Sequence, residues 1–337
     1  HVPLPLVFVC EDNGIGISTA TPEGWISANF AHRPGLKYIY CDGLNLLDTY
    51  HKARQAAAYA RRQRKPVFLH MRTVRLMGHA GSDAQSAYMA RQAIEAAEAQ
   101  DPLLHTARLL IDNQILSAAQ ICALYEVMRE RVARVAEQVI MRPKLQNAQQ
   151  VMASLIPPPT SRPAVAPATA AARSAIFGRE ERQLSEPQHM ARLINWTLID
   201  LMLEQDNIIL AGEDIGPKGG VYNVTGKLAE RFGNHRMINT LLDEQSILGL
   251  AIGLGHNGFL PIPEIQFLAY VHNAEDQIRG EAATLSFFSN GQFTNPMVIR
   301  VAGLAYQKGF GGHFHNDNSL AVFRDIPGLV IACPSNG

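Results

Sequence analysis

Leu6-Val7-Phe8-Val9-Cys10-Glu11-Asp12-Asn13-Gly14-Ile15-Gly16-Ile17-Ser18 decides how the chain is read. The unbroken apolar run from Leu6 to Cys10 has the length and composition of a buried parallel strand. It stops in Glu-Asp-Asn-Gly, which is oxygen-rich and turn-prone. Ligands of open α/β sheets collect beyond the carboxyl ends of strands, so a bound group belongs at this edge. Asn13 offers an amide oxygen, and the flanking glycines bring backbone carbonyls within reach. Such donors suit a hard cation, for example Mg²⁺ bridging phosphates. A strand followed by an Asn-Gly turn explains the same residues with no ligand at all.

Outward from this stretch the α/β alternation continues. Tyr38 to Cys41 reads as a strand, Leu44 to Arg64 as a helix, and Val67 to Met71 as a strand. Arg61, Arg62 and Arg64 sit where cations complement a helix carboxyl end, so they read as capping and not as a nucleic-acid patch. A polar loop, Arg75-Leu76-Met77-Gly78-His79-Ala80-Gly81-Ser82-Asp83, follows the last of these strands. Arg75 and His79 there can both donate to a phosphate, or can simply be solvated. From Asp101 to about Met141 the pattern is helical, with a capping box at Ser117-Ala118-Ala119-Gln120. The stripe Ile121, Leu124, Val127 and Met128 reads as core packing. Next comes a Pro- and Ala-rich stretch, Ile156 to Ala175, expected to be an extended linker between domains.

Strand and helix signals then resume. Ile208 to Ala211 ends in Gly212-Glu213-Asp214, and Met237 to Leu242 leads through Asp243-Glu244-Gln245 into a Gly/Ala-rich helix. Leu260 to Phe267 is a further strand, Asn273 to Phe288 a helix, and Met297 to Val301 a strand before the loop Gly309 to Asn318. Glu244 follows two leucines, where a carboxyl set against apolar surroundings tends to hold or share a proton. An acidic helix start favoured by the helix dipole is the plainer account. His313 and His315, two apart, suggest a metal pair, but zinc needs a further ligand that the spacing does not supply. A proton donor or acceptor beside a cleft, or a solvated loop histidine, fits them equally.

Of 337 residues, 47% are hydrophobic and 18% charged, with Lys+Arg and Asp+Glu at 30 each. The length suggests two domains, and the charge balance gives no reason to expect nucleic acid or an anionic membrane. Cys10, Cys41, Cys122 and Cys333 form no CxxC pair, which fits a reducing compartment, and no apolar run is long enough to span a bilayer.

Four segments, Val9 to Ser18, Arg75 to Asp83, Thr240 to Gly249 and Pro263 to Tyr270, together make the chain resemble the thiamine-diphosphate-dependent, decarboxylating component of the 2-oxoacid dehydrogenase complexes. Residues 1–150 look like an alpha-type domain, incomplete at its amino terminus, and 187–337 like a beta-type domain, incomplete at its carboxy terminus, with 151–186 as the linker. The resemblance implies an α/β fold of two thiamin-diphosphate-binding domains, each a parallel sheet flanked by helices. It implies thiamine diphosphate and Mg²⁺ as cofactors, the cation held by Asn13 and the carbonyl of Ile15. Arg75 and His79 would contact the diphosphate. Glu244 would meet the aminopyrimidine, with Leu242, Gln266 and Tyr270 lining its pocket, and His315 would serve acyl transfer to lipoamide. Glu213 matches an acidic position between paired sites.

The implied partners are a small-molecule 2-oxoacid, a lipoyl-bearing dihydrolipoyl acyltransferase and further copies of the chain; the implied compartment is a bacterial cytoplasm. A branched-chain acid is expected as substrate, with pyruvate or acetoin dehydrogenase as alternatives. Departures are also visible. The family's Gly-Asp-Gly segment would lie upstream of His1, Asp12 stands for an asparagine, Ile15 for a tyrosine, and Ala80 for a serine that is phosphorylated in animals. Asn316-Asp317-Asn318 replaces Ser-Gln-Ser. Transketolase-like transfer, an inactive scaffold and a His313/His315 metal protein are the competing readings.

Overall fold

The computed structural model describes residues 3–155, 165–304, 312, 315 and 317–335. The chain divides into two compact units, His1–Pro143 and Lys144–Gly337. The first unit opens with β1 (Val7–Asp12), a small hairpin of β2 (Ile15–Gly16) and β3 (Thr19–Ala20), and α1 (Trp25–Phe30). It continues through β4 (Lys37–Asp42), α2 (Leu46–Gln63) and β5 (Val67–Arg72) to α3 (Arg91–Glu98), α4 (Pro102–Asp112) and α5 (Ala118–Ile140).

Three of these strands form a parallel sheet in the order β1-β5-β4. Cys10, His70 and Tyr40 stand in one rank, and Asp12, Arg72 and Asp42 in the last. Side chains alternate between faces along each strand. On one face Ala56 and Ala60 of α2 lie against Ile39, Cys41, Val67 and Leu69, their small side chains allowing close approach. On the other, Phe68 stacks on Phe30 with ring centroids 4.2 Å apart. Asn45 starts α2 by accepting from the amides of Leu47 and Asp48, and Arg64 ends it in the left-handed region at φ 52°.

Two expectations for this unit change. β1 is parallel but not buried: Val7, Phe8 and Val9 are exposed, because β1 is the sheet's edge strand and is paired on one side only. α5 has the expected Ser117–Gln120 capping box, yet Leu124, Val127 and Met128 are exposed instead of packed in a core. The helix runs on past the turn that joins it to α4, and among the described residues no layer covers its apolar side.

The second unit begins with α6 (Ala148–Met152), α7 (Ala170–Phe177) and α8 (Met190–Glu204). β6 (Ile208–Glu213), α9 (Leu228–Phe232), β7 (Met237–Thr240), α10 (Glu244–His256) and β8 (Leu260–Ile265) follow. Short helical turns at Leu268–Ala274 and Gln277–Ala282, then α11 (Leu285–Phe288), β9 (Arg300–Val301) and α12 (Ala321–Arg324), complete it. The sheet order is β7-β6-β8-β9, with every pairing parallel. Trp196, Ile199 and Met202 of α8 pack on Ile208, Leu210, Met237 and Ile262. Ile247 and Leu248 of α10 form a second cluster with Ile265, Val271, Ile278 and Phe323. Arg236 locks the end of α8 to β6, its guanidinium donating to the carbonyls of Met202, Gln205 and Ile208.

Of the stretch expected to be extended, residues 156–164 lie outside the described residues, and the chain is helical from Ala170 onward. Alanine has the highest helix propensity, and Thr169 supplies a side-chain cap to Ala172 N. Phe177 closes that helix against Trp196 inside the core. The single helix read from Asn273 to Phe288 is instead three short pieces. No helix among the described residues is long and apolar enough to cross a membrane.

Ile199 is completely buried at the centre of the α8 cluster. Ile199→Ala therefore costs about 2–5 kcal/mol of unfolding free energy in urea titration of the full chain. A loss below about 1 kcal/mol contradicts this packing.

Candidate functional site

Both sheets bring polar side chains to the carboxyl ends of their strands. In the first unit, β1 ends at Asp12, whose Oδ1 accepts from Gly14 N at 2.9 Å. Asn13 Oδ1 accepts from Ile15 N at 3.0 Å, and Gly14 adopts φ 74°. These bonds fold the turn into the β2–β3 hairpin and leave Asn13 exposed.

Arg75 joins this hairpin to the loop after β5. Its Nη1 donates to the carbonyl of Ile17 at 2.7 Å and its Nη2 to Tyr88 Oη at 2.7 Å. Tyr88 in turn donates to Asp83 Oδ2 at 2.7 Å, and the same oxygen accepts from His79 N at 2.7 Å. Those two bonds, with Arg75 nearby, hold the Asp83 carboxyl below its ordinary value. Gly78 is required in this loop: a Cβ there would come within 2.3 Å of the Asp83 carbonyl oxygen. Arg75 Nε is buried with no hydrogen-bond partner among the described residues, and the His79 ring is exposed. Asn13, Ile15, Arg75 and His79 thus belong to one connected edge.

In the second unit, Glu244 opens α10 and is only 6% exposed. Asn273 Nδ2 donates to its Oε2 at 3.3 Å. Glu213, at the end of β6, has its carboxyl pushed up by burial, and by Asp214 and Glu244 in turn; Lys218 opposes this. Gln266 Nε2 donates to Asp214 Oδ2 at 3.5 Å, and Lys218 also pairs with Asp214. Below this edge Glu264 is buried in ion-pair contact with Arg300 on the neighbouring strand. The Asp214–Lys227 loop lies over it, with Asp214, Tyr222, Asn223 and Lys227 all in the left-handed region. Strain of this kind clusters at functional sites. Leu242 is 70% exposed, an apolar side chain at the rim. Thr240 Oγ1 is buried without a hydrogen-bond partner among the described residues.

Tyr270 Oη lies 3.2 Å from His315 Nε2, and Phe267 meets the same ring edge-on with centroids 4.7 Å apart. The Asn316-Asp317-Asn318 departure now has a partial account. Asp317 Oδ2 is 3.8 Å from Nε2 of His272, whose Nδ1 is 3.4 Å from Glu275 Oε2. His313 lies outside the described residues. Among the described residues no group of three or more His, Cys, Asp or Glu side chains is gathered as for a metal ion.

Residues 1–147 match the family described as "Dehydrogenase E1 component". Residues 186–337 match the "Transketolase, pyrimidine binding domain" family. Together the two matches support a thiamine-diphosphate-dependent 2-oxoacid dehydrogenase component. Among its relatives, the 2-oxoisovalerate dehydrogenase subunit beta of Pseudomonas aeruginosa is 37% identical over 142 residues, 41% of this chain and 39% of that subunit. The pyruvate dehydrogenase E1 component subunit beta of Bacillus subtilis is 35% identical over 151 residues, 43% and 44% of the two chains. That of Staphylococcus epidermidis is 36% identical over the same length and shares. The chain therefore spans less than half the length of these curated relatives.

Nothing in the sequence singled out Tyr38, His70, Tyr88, Glu264 and Asn273 as candidates. Only the even spacing of His70 with Phe68 and Arg72 along β5 signalled in advance which face it occupies.

Glu213 yields a signed pH dependence. A carboxyl raised above its ordinary 4.5 when folded favours the fold below that value and opposes it as pH rises through the folded value. Glu213→Gln should raise the melting temperature at neutral pH and change nothing below about pH 4. Equal shifts at both pH values would contradict the burial assigned to this carboxyl.

Proposed function

We propose that the chain catalyses oxidative decarboxylation of a 2-oxoacid and transfers the acyl group to the lipoyl arm of a dihydrolipoyl acyltransferase. The observation that carries this is Glu244: a carboxyl buried at a helix start near the carboxyl ends of the strands, engaged among the described residues by Asn273 through one oxygen. Two acids compete as substrate. A branched-chain acid, 3-methyl-2-oxobutanoate, is preferred from the Gln266–Tyr270 segment, and the 2-oxoisovalerate relative supports it. The pyruvate relatives support pyruvate nearly as well, since such acids differ by methylenes worth about 1–3 kcal/mol in a pocket.

The donor sets fit thiamine diphosphate with Mg²⁺. Arg75 carries a buried, unengaged N–H suited to an anionic diphosphate, and Asn13 and Ile15 supply neutral oxygens to a hard cation. When bound, thiamine diphosphate would supply a carbon nucleophile and an electron sink for decarboxylation of a 2-oxoacid. The residues do the rest. Asn13 and the Ile15 carbonyl would hold the cation, while Arg75 and His79 would hold the phosphates. Glu244 would meet the aminopyrimidine ring through the oxygen that Asn273 does not engage, with Leu242, Gln266 and Tyr270 about that ring. His315, oriented by Tyr270 and Phe267, delivers a proton to the lipoyl disulfide as it opens.

The functional division 1–150, 151–186 and 187–337, a homo-oligomer and a cytoplasmic setting belong to the same proposal.

Two variants test it on the full chain. Glu244→Gln should lower CO₂ release by about 10²–10⁴-fold with an unchanged circular dichroism spectrum. Undiminished release removes the role given to Glu244. His315→Ala should leave decarboxylation measured with an artificial electron acceptor intact while acylation of a lipoyl domain falls. Parallel loss in both assays would take the lipoyl step away from His315.

A further inference from the structure

Tyr38, His70 and Asp12 form a hydrogen-bonded chain that the chemistry above leaves unused. All three lie on the sheet face opposite α2, on three neighbouring strands. His70 is 6% exposed on the central strand. Its Nε2 lies 2.9 Å from Asp12 Oδ2 and its Nδ1 2.6 Å from Tyr38 Oη. A carboxylate only accepts, so Nε2 donates to Asp12, while Nδ1 and the Tyr38 hydroxyl share the second bond. The rings of Tyr38 and Tyr40 meet the imidazole edge-on, at 62° and 84°, and fix its plane.

The chain ends on the turn. Asp12 spends one oxygen on His70 and the other on the Gly14 amide, immediately beside the side chain of Asn13. At the far end of the hairpin Arg75 grips the Ile17 carbonyl. The turn between these anchors has local bonds, Ile15 N to Asn13 Oδ1 and Thr21 N to Gly14 O, but Asn13 is exposed and Gly14 sits at positive φ, so the Asp12 end depends on what holds Asp12. We propose that Tyr38–His70–Asp12 is a brace that transmits the rigidity of the central strand to the 12–15 turn. It sets the Asn13 amide oxygen and Ile15 carbonyl for a cation-bridged diphosphate. This rests on the reading of Asn13 and Ile15 given above. Tyr38 and His70 act through Asp12 and are positioning residues.

The test compares His70→Leu, His70→Gln and Tyr38→Phe in the full chain. Three quantities are measured: amide exchange at Gly14 and Ile15 without ligand, calorimetric affinity for thiamine diphosphate with Mg²⁺, and melting temperature. His70→Leu should accelerate exchange and weaken affinity about tenfold, as loss of a partner behind a metal ligand typically does. His70→Gln, whose amide still donates to Asp12, should recover most of both. Tyr38→Phe, which keeps the ring, should lose a smaller part with little change in melting temperature. Unchanged exchange in His70→Leu and Tyr38→Phe overturns the brace whatever the affinity. Losses that track melting temperature and are not recovered by glutamine overturn it as well. If exchange accelerates as expected but the unaltered chain binds no thiamine diphosphate with Mg²⁺, the Asn13 reading falls, and with it the ligand half of the proposal.

Discussion

Parallel strand pairing is the constraint from which the rest follows. A parallel ladder points every strand the same way, so all carboxyl ends, and the loops leaving them, gather along one edge. In the first unit that edge gathers Asp12, Arg72 and Asp42 in a single rank, with Asn13 and Arg75 just beyond. In the second it gathers Glu213, Thr240 and the 265–267 segment, with Glu244 one short loop away. Residues far apart in sequence become neighbours through the hydrogen-bond pattern alone. The polar networks then fix individual side chains within that neighbourhood.

Those networks differ in character. Around Arg75 they are bonds among loops, with a tyrosine and a carboxylate relaying one guanidinium to a backbone amide. Around Glu244 they are sparse, and burial does more of the work. A sparse shell leaves an acidic group with capacity to engage something else, which distinguishes Glu244 from Asp83, whose single oxygen already accepts two bonds.

Much of this was legible in the sequence where local rules and the fold agree. The strand at 67–72, the helix after Asn45, the capping box at Ser117 and the Glu244 helix start all follow from apolar periodicity and end signals. The apolar run of β1 announced a strand but not its place at the sheet edge, because period and composition carry no information about neighbours. The stripe of α5 announced amphipathicity but not a cover. The alanines of α7 sit close behind prolines, and composition averaged over both hid a capped helix that ends on a buried phenylalanine. Candidates inside a motif could be named from the sequence; His70 and Asn273 could not, since what marks them is what they touch.

Glu264 and Arg300 sit side by side on neighbouring strands, one nearly sealed and the other mostly so. Losing either would strand a charge in the interior, which is far costlier than replacing both with oily side chains of like size. Drift at these two positions is therefore expected to be concerted. A library that randomises only one would be depleted of folded members, whereas paired randomisation would open sequence space directly beneath the Asp214–Lys227 loop.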